Sequence, residues 1–270
     1  MRHFFALLLI VLASAAVADT VDFRRQVVVV TGVDAGPVSI QGTTNMSLRA
    51  VNVLKAASYD RDWTVAAFLS SHPAAQRKLD RMSLDSRRAG TRFLSDGAVS
   101  ADFEFPLTGA IMNLLLPITG GGRLLGKTAC PCCGQPWPED KEPPPGVKLV
   151  PFDNGNGQTY TGILVDVRGL GFSPALFPRV VTSENDVVIG PEFASAADLA
   201  QSGAFGYYKD RSEALSTERI GANPLVVRAL SVMGMNSCDI VVSQYDAARI
   251  HGSKATLDLL ARCRVGLLVD

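Results

Sequence analysis

The sequence predicts a mixed α/β (α+β) protein made of two small domains, each a sheet packed with a few helices. Three observations lead there. Short β-branched runs alternate with segments of helical apolar spacing along the chain. A central block rich in Gly, Pro and Cys interrupts that alternation, and no repeat recurs at a fixed period, which excludes solenoids and propellers. The 270 residues are 47% hydrophobic and 19% charged, enough apolar material for real cores. Because 26 Lys and Arg balance 26 Asp and Glu, the chain as a whole has no basic excess to draw in nucleic acid, and no such partner is expected.

The N-terminus reads as a targeting segment. Met1-Arg2-His3 precede an apolar run from Phe4 to about Ala15, and Ala16-Val17-Ala18 supply an A-x-A site, the order found in a signal peptide cleaved after Ala18. The apolar run falls short of the roughly 20 residues that span a bilayer, and no later stretch approaches that length. A periplasmic or secreted protein with no transmembrane segment in its mature chain is therefore expected. No cysteine stands at the cut to carry a lipid.

Residues 19–117 form the first predicted domain. Val27 to Thr31, closed by Gly32, is a continuous β-branched run and predicts a buried strand. Met46, Ala50, Val53, Leu54 and Ala57 recur at helical spacing from near Thr44; the helix continues through Trp63 to Leu69 unless Tyr59-Asp60-Arg61-Asp62 breaks it. Pro73 opens another helix, in which Leu79, Met82, Ala89 and Phe93 recur among Arg77, Lys78, Arg87 and Arg88 on a solvated face. Between Gly97 and Leu107, Val99, Ala101, Phe103 and Phe105 alternate with Ser100, Asp102 and Glu104. That period of two predicts a strand with its polar side in water.

Residues 118–158 are a linker or insertion, because Gly120-Gly121-Gly122, Pro136 to Pro138 and Pro143-Pro144-Pro145-Gly146 cannot sustain a helix or a central strand. Residues 159–270 form the second domain. Strands are expected over 159–167, 178–182, 187–189, 203–209, 224–232, 239–243 and 264–269. Helices are expected over 195–201, opened by a serine cap, 244–250 and 255–262.

Several residues invite a chemical reading. Gly121 to Thr128 spells G-x-x-x-x-G-K-[ST], but the helix a P-loop needs would have to run through Cys130-Pro131-Cys132-Cys133-Gly134-Gln135-Pro136, so a flexible glycine-rich loop is the expected reading. Cys130, Cys132 and Cys133 have the C-P-x-C-G shape of one zinc knuckle and are the candidate metal ligands or redox thiols. A structural zinc site also needs a second ligand pair, which His72 and His251 do not supply by spacing. Cys238 and Cys263 each precede a predicted strand. They form a candidate disulfide if those strands are parallel neighbours, and are buried small side chains otherwise. Hydrolase motifs are missing from the sequence, so a catalytic pair would depend on His72 or His251, both at helix ends, and Asp166 and Arg168 read equally as a strand's solvent face. No catalytic or cofactor-binding residue is assigned.

The helix Asn45 to Ala57, the helix that follows and the alternating strand Ala98 to Phe105 resemble the core of the LPP-type bacterial lipoproteins, a family that includes a flagellar basal-disk lipoprotein. The second half, with Tyr160 to Gly171, Asn223 to Ala229 and Asp239 to Ser243, resembles a C-terminal region of longer secreted proteins of that group. The resemblance, over residues 25–116 and 159–270, implies an envelope protein without catalytic residues that acts by association, in rings at the outer membrane or around a flagellar motor. The missing lipidated cysteine sets this chain apart and would require a protein partner or self-association for such a role. The expected function is thus a structural or assembly role in the cell envelope. The alternative is a periplasmic metal-binding or thiol-redox protein using the cysteine cluster, with zinc as the candidate ion.

Overall fold

In the computed structural model the described residues are 19–34, 40–93, 99–119, 121–138, 141–152 and 159–270. The expected signal peptide, residues 1–18, lies outside them, as does Gly120 of the glycine triplet. The fold is mixed α/β, with two α/β units and a segment between them, and no described helix is long and apolar enough to cross a membrane.

The first unit contains β1 (Thr20–Asp22), β2 (Val27–Asp34), α1 (Ile40–Ala56), α2 (Val65–Ser71), α3 (Pro73–Arg81), β3 (Arg87–Phe93), β4 (Val99–Pro106) and α4 (Ala110–Leu115). Its sheet is antiparallel throughout, in the order β1-β2-β4-β3. Val28 and Val30 on β2 stand opposite Phe105 and Phe103 on β4, and this face packs on Leu54, Leu69 and Leu115 of the helices. The long helix does break at the acidic-basic tetrad: α1 ends at Ala56, and Thr64 caps α2 by accepting a bond from the Ala67 amide at 3.2 Å.

Two expectations for this unit fail. The helix opened by Pro73 stops at Arg81, and Ala89 and Phe93 belong to the edge strand β3. The apolar spacing was coincidental, since Gly90 is a poor helix former and the pairing with β4 outweighs local propensity. Glu104, expected on the wet face of β4, has a side chain only 3% exposed, because Arg25 and Arg87 close over its carboxylate from both sides.

Among its described residues the central segment holds only β5 (Thr128–Ala129) and β6 (Val150–Pro151) as strands, paired antiparallel. The second unit contains β7 (Ile163–Asp166), β8 (Val180–Thr182), β9 (Val187–Ile189), α5 (Ala196–Ser202), β10 (Gly206–Tyr208), α6 (Arg211–Leu215), β11 (Leu225–Arg228), β12 (Ser231–Met233), β13 (Asp239–Val242), α7 (Gln244–Ile250), α8 (Lys254–Ala261) and β14 (Val265–Leu268). One sheet is wholly parallel, in the order β10-β14-β7-β11; the other, β12-β13-β8-β9, has a parallel centre between antiparallel edges. Buried on both faces, β7, β13 and β14 read as continuous apolar runs in the sequence. Ser195, Asp210, Ser243 and Ser253 cap their helices through side-chain oxygens.

The sequence suggested two separate cores, yet the interior is largely one. A single apolar cluster runs from Val30 and Leu54 to Val165, Ile240 and Leu267. The loop between α1 and α2 is its hinge point: Tyr59 stacks against Phe68 at 4.3 Å, contacts Phe177 at 5.1 Å and donates its hydroxyl to the Leu115 carbonyl at 2.9 Å. The Leu176 and Phe177 amides bond back to the carbonyls of Ser58 and Tyr59. Asp239, fully buried at the start of β13, takes three hydrogen bonds from Arg179, and Arg61 of the first unit approaches it at 3.8 Å.

Candidate functional site

A cleft of about 1180 Å³ lies between the central segment and the second unit. The central segment lines it with Gly121, Gly122, Arg123, Lys127, Thr128, Trp137, Lys141 and Lys148 as one wall, and the second unit faces it with Glu192, Phe193, Leu257 and Asp258. The central segment is held there by specific contacts. Gly122 lies against Phe193, where a Cβ would come within 2.3 Å of the ring, and its amide bonds to the Glu192 carbonyl at 3.3 Å. Gly126, at φ 100°, turns the chain against Ala248 on α7. Trp137 is fixed by its backbone amide on Thr128 and by its indole N–H on the Lys141 carbonyl at 2.7 Å.

His251 is the pin beneath this wall. It is 1% exposed; Nδ1 accepts the Leu125 amide at 2.9 Å, Nε2 donates to the Val188 carbonyl at 2.7 Å, and the ring leans on Phe193 at 4.8 Å. Burial pushes its pKa below the usual histidine value, in keeping with a neutral ring. The sequence placed His251 at an exposed helix end; the structure buries it, because the central segment folds over that end. His72 sits apart, stacked on Phe68 at 4.2 Å with Nδ1 against the Phe68 carbonyl. Asp166 and Arg168 form a local pair at 2.6 Å, and the Arg168 guanidinium holds that carboxyl below its ordinary range.

The motif from Gly121 to Thr128 leads into the two-residue strand β5 rather than a helix, so neither Lys127 nor Thr128 sits at a helix N-terminus. Cys130, Cys132 and Cys133 occupy a tight turn: the Cys130 amide bonds to the Gln135 carbonyl and the Gly134 amide to the Cys130 carbonyl, both at 2.9 Å, with Gly134 at φ 71°. Cys132 and Cys133 are exposed and Cys130 is half-buried. Backbone polar groups of Cys132 and Cys133 lower the Cys130 thiol from its ordinary value. Among the described residues no His, Asp or Glu joins these sulfurs in a group arranged to hold a metal ion. Cys238 and Cys263 are buried free thiols, and the condition for bridging them is not met, because β13 and β14 lie in different sheets. Burial raises the two thiols to about 12 and about 11.

Sequence reasoning missed the cleft itself. Arg123, Lys127, Lys141 and Lys148 are spread over 26 positions, and nothing local says that α8 and the Glu192-Phe193 turn close the far side. The one available signal was the density of Gly and Pro flanking lysines.

Residues 162–270 match a family model described as the second domain of Treponema pallidum Tp0624. The matched span is the second α/β unit, from just before β7 to the end of the chain. It does not extend to residues 25–116, where the likeness to the LPP-type lipoproteins was seen. No curated protein matches the chain.

Proposed function

We propose that the protein is a non-catalytic extracytoplasmic component of the cell envelope that works by association, in an assembly at the outer membrane or around a flagellum. The observation that carries this reading is the use made of His251: both ring nitrogens are committed to backbone groups, so the residue clasps the central segment onto the second unit and has no nitrogen left to serve as a base. The leader-like N-terminus and the LPP-type likeness of the first unit support the compartment. Light scattering across a concentration series, with capture of envelope proteins by the mature chain, tests it. Self-association or retention of a defined envelope protein is expected; a persistent monomer that retains nothing would overturn it.

A second reading, a thiol-redox or metal-binding protein, is favoured by the lowered Cys130 thiol beside Cys132 and Cys133. Mass spectrometry with and without reductant, together with a metal assay, tests it. Cysteines that stay paired and metal-free under mild reductant would eliminate that reading.

A further inference from the structure

We propose that the cleft between the central segment and α8 binds a phosphate-bearing sugar, either free or as the headgroup of a glycolipid. The inference stands independently of the assembly role. Four cationic side chains, Arg123, Lys127, Lys141 and Lys148, line the cleft against two acids, Glu192 and Asp258. Several cations elsewhere in the protein are paired, as Arg25 and Arg87 are on Glu104, Arg92 on Asp102 and Arg179 on Asp239. Among the described residues, none of the four cleft cations has an ion-pair partner. The lining thus holds two more cations than carboxylates, and one oxygen of Glu192 is buried without a hydrogen-bond partner among the described residues. A surplus of unpaired cations around a concave surface focuses positive potential there, although the chain as a whole is neutral.

The apolar part of the lining selects what carries the anionic groups. Trp137, Pro138, Phe193, Leu149 and Leu257 give the cleft an apolar side, and the bond from its indole N–H to the Lys141 carbonyl holds Trp137 in one orientation. A rigid aromatic beside charged groups suits a ring with an apolar face and anionic substituents, which describes a phosphorylated sugar better than a free phosphate ion. The volume exceeds the roughly 300–1,000 Å³ of an ordinary small-ligand pocket, room for a disaccharide rather than a lone anion.

The test uses calorimetric titration of the mature chain with fructose 1,6-bisphosphate, and cosedimentation with phosphatidylcholine vesicles with and without lipid A, a bisphosphorylated sugar lipid. Saturable binding of the soluble sugar would identify a free ligand, and capture only by lipid A vesicles a headgroup. In either arm the Lys127→Gln/Lys148→Gln double variant should bind at least about tenfold more weakly, and raising the salt should weaken the native chain several-fold. A control, Arg77→Gln/Lys78→Gln on α3, removes two charges outside the cleft and should leave binding unchanged. No saturable binding in either arm, or equal binding by the cleft and control variants, would overturn the proposal.

Discussion

Lowering the pH from 7.5 to 5.5 should loosen the clasp at His251 in a measurable way. The ring is 1% exposed and neutral, with Nδ1 accepting the Leu125 amide at 2.9 Å, so a proton on Nδ1 would both break that bond and place a charge in an apolar setting. The folded-state pKa lies below the usual 6.5 because of burial, so in this range the unfolded chain binds more protons than the folded one. Stability contributed by the neutral ring is therefore complete above the unfolded pKa and is lost as the pH falls toward the folded one. Each pH unit in that window costs at most about 1.4 kcal/mol, and with the unfolded ring titrating near 6.5 the whole step to pH 5.5 removes at most about 1.4 kcal/mol, or up to roughly 3–6 °C of Tm for a chain of this size. Carboxylates titrate over part of the same range, so the assay is a difference. Thermal denaturation of the native chain and of His251→Gln is followed at both pH values. Gln can accept from Leu125 and donate to Val188 without titrating, and its pH dependence should be the shallower, by up to that amount. Identical slopes for the two proteins would refute the reasoning.

Three further outcomes follow from the packing. Gly162→Ala would place a Cβ 2.6 Å from the Ile220 carbonyl oxygen and 2.8 Å from its Cα; with backbone as the obstacle, a loss of about 1–3 kcal/mol is expected by urea denaturation. Asp239→Ala would strand the Arg179 guanidinium, which is 27% exposed and so partly hydrated; about 3 kcal/mol, the low end for breaking a buried pair, is expected from the same measurement. In protein purified under reductant, a chromogenic disulfide should label Cys130, Cys132 and Cys133 rapidly and reach Cys238 and Cys263 only after denaturation, since burial pushes those two thiols to about 12 and about 11. Rapid native labelling of five thiols would contradict the burial.

The second unit was far more legible in the sequence than the first. Its strands β7, β13 and β14 are buried on both faces, and such strands are written as unbroken apolar runs; its helices open on serines that serve as caps. The helix α6 was missed because five residues between Asp210 and Ser216 are too few to show a period, although Asp210 does cap it. In the first unit, β3 was mistaken for helix because Arg87, Arg88 and Arg92 mark an exposed edge that lacks a strand's alternation. Glu104 misled for a different reason: its burial depends on Arg25 in the β1–β2 turn and Arg87 on β3, both remote from it in sequence. The cleft was hidden in the same way, since each wall is ordinary loop until tertiary folding sets it against α8.

The boundary of the family match at residue 162 is crossed by packing and hydrogen bonds. Tyr59 reaches Phe177, the Gly109 amide bonds to the Ala200 carbonyl at 2.7 Å, and Asn236 holds the carbonyls of Asp60 and Trp63. A fragment cut at that boundary would therefore expose apolar surface and orphan backbone groups that the first half now covers. The part that matches the family model is thus packed against the first half, and the two are expected to melt together. A substitution in the loop from Tyr59 to Thr64 should accordingly be felt in amide exchange across β8 and β13 as readily as in its own helices.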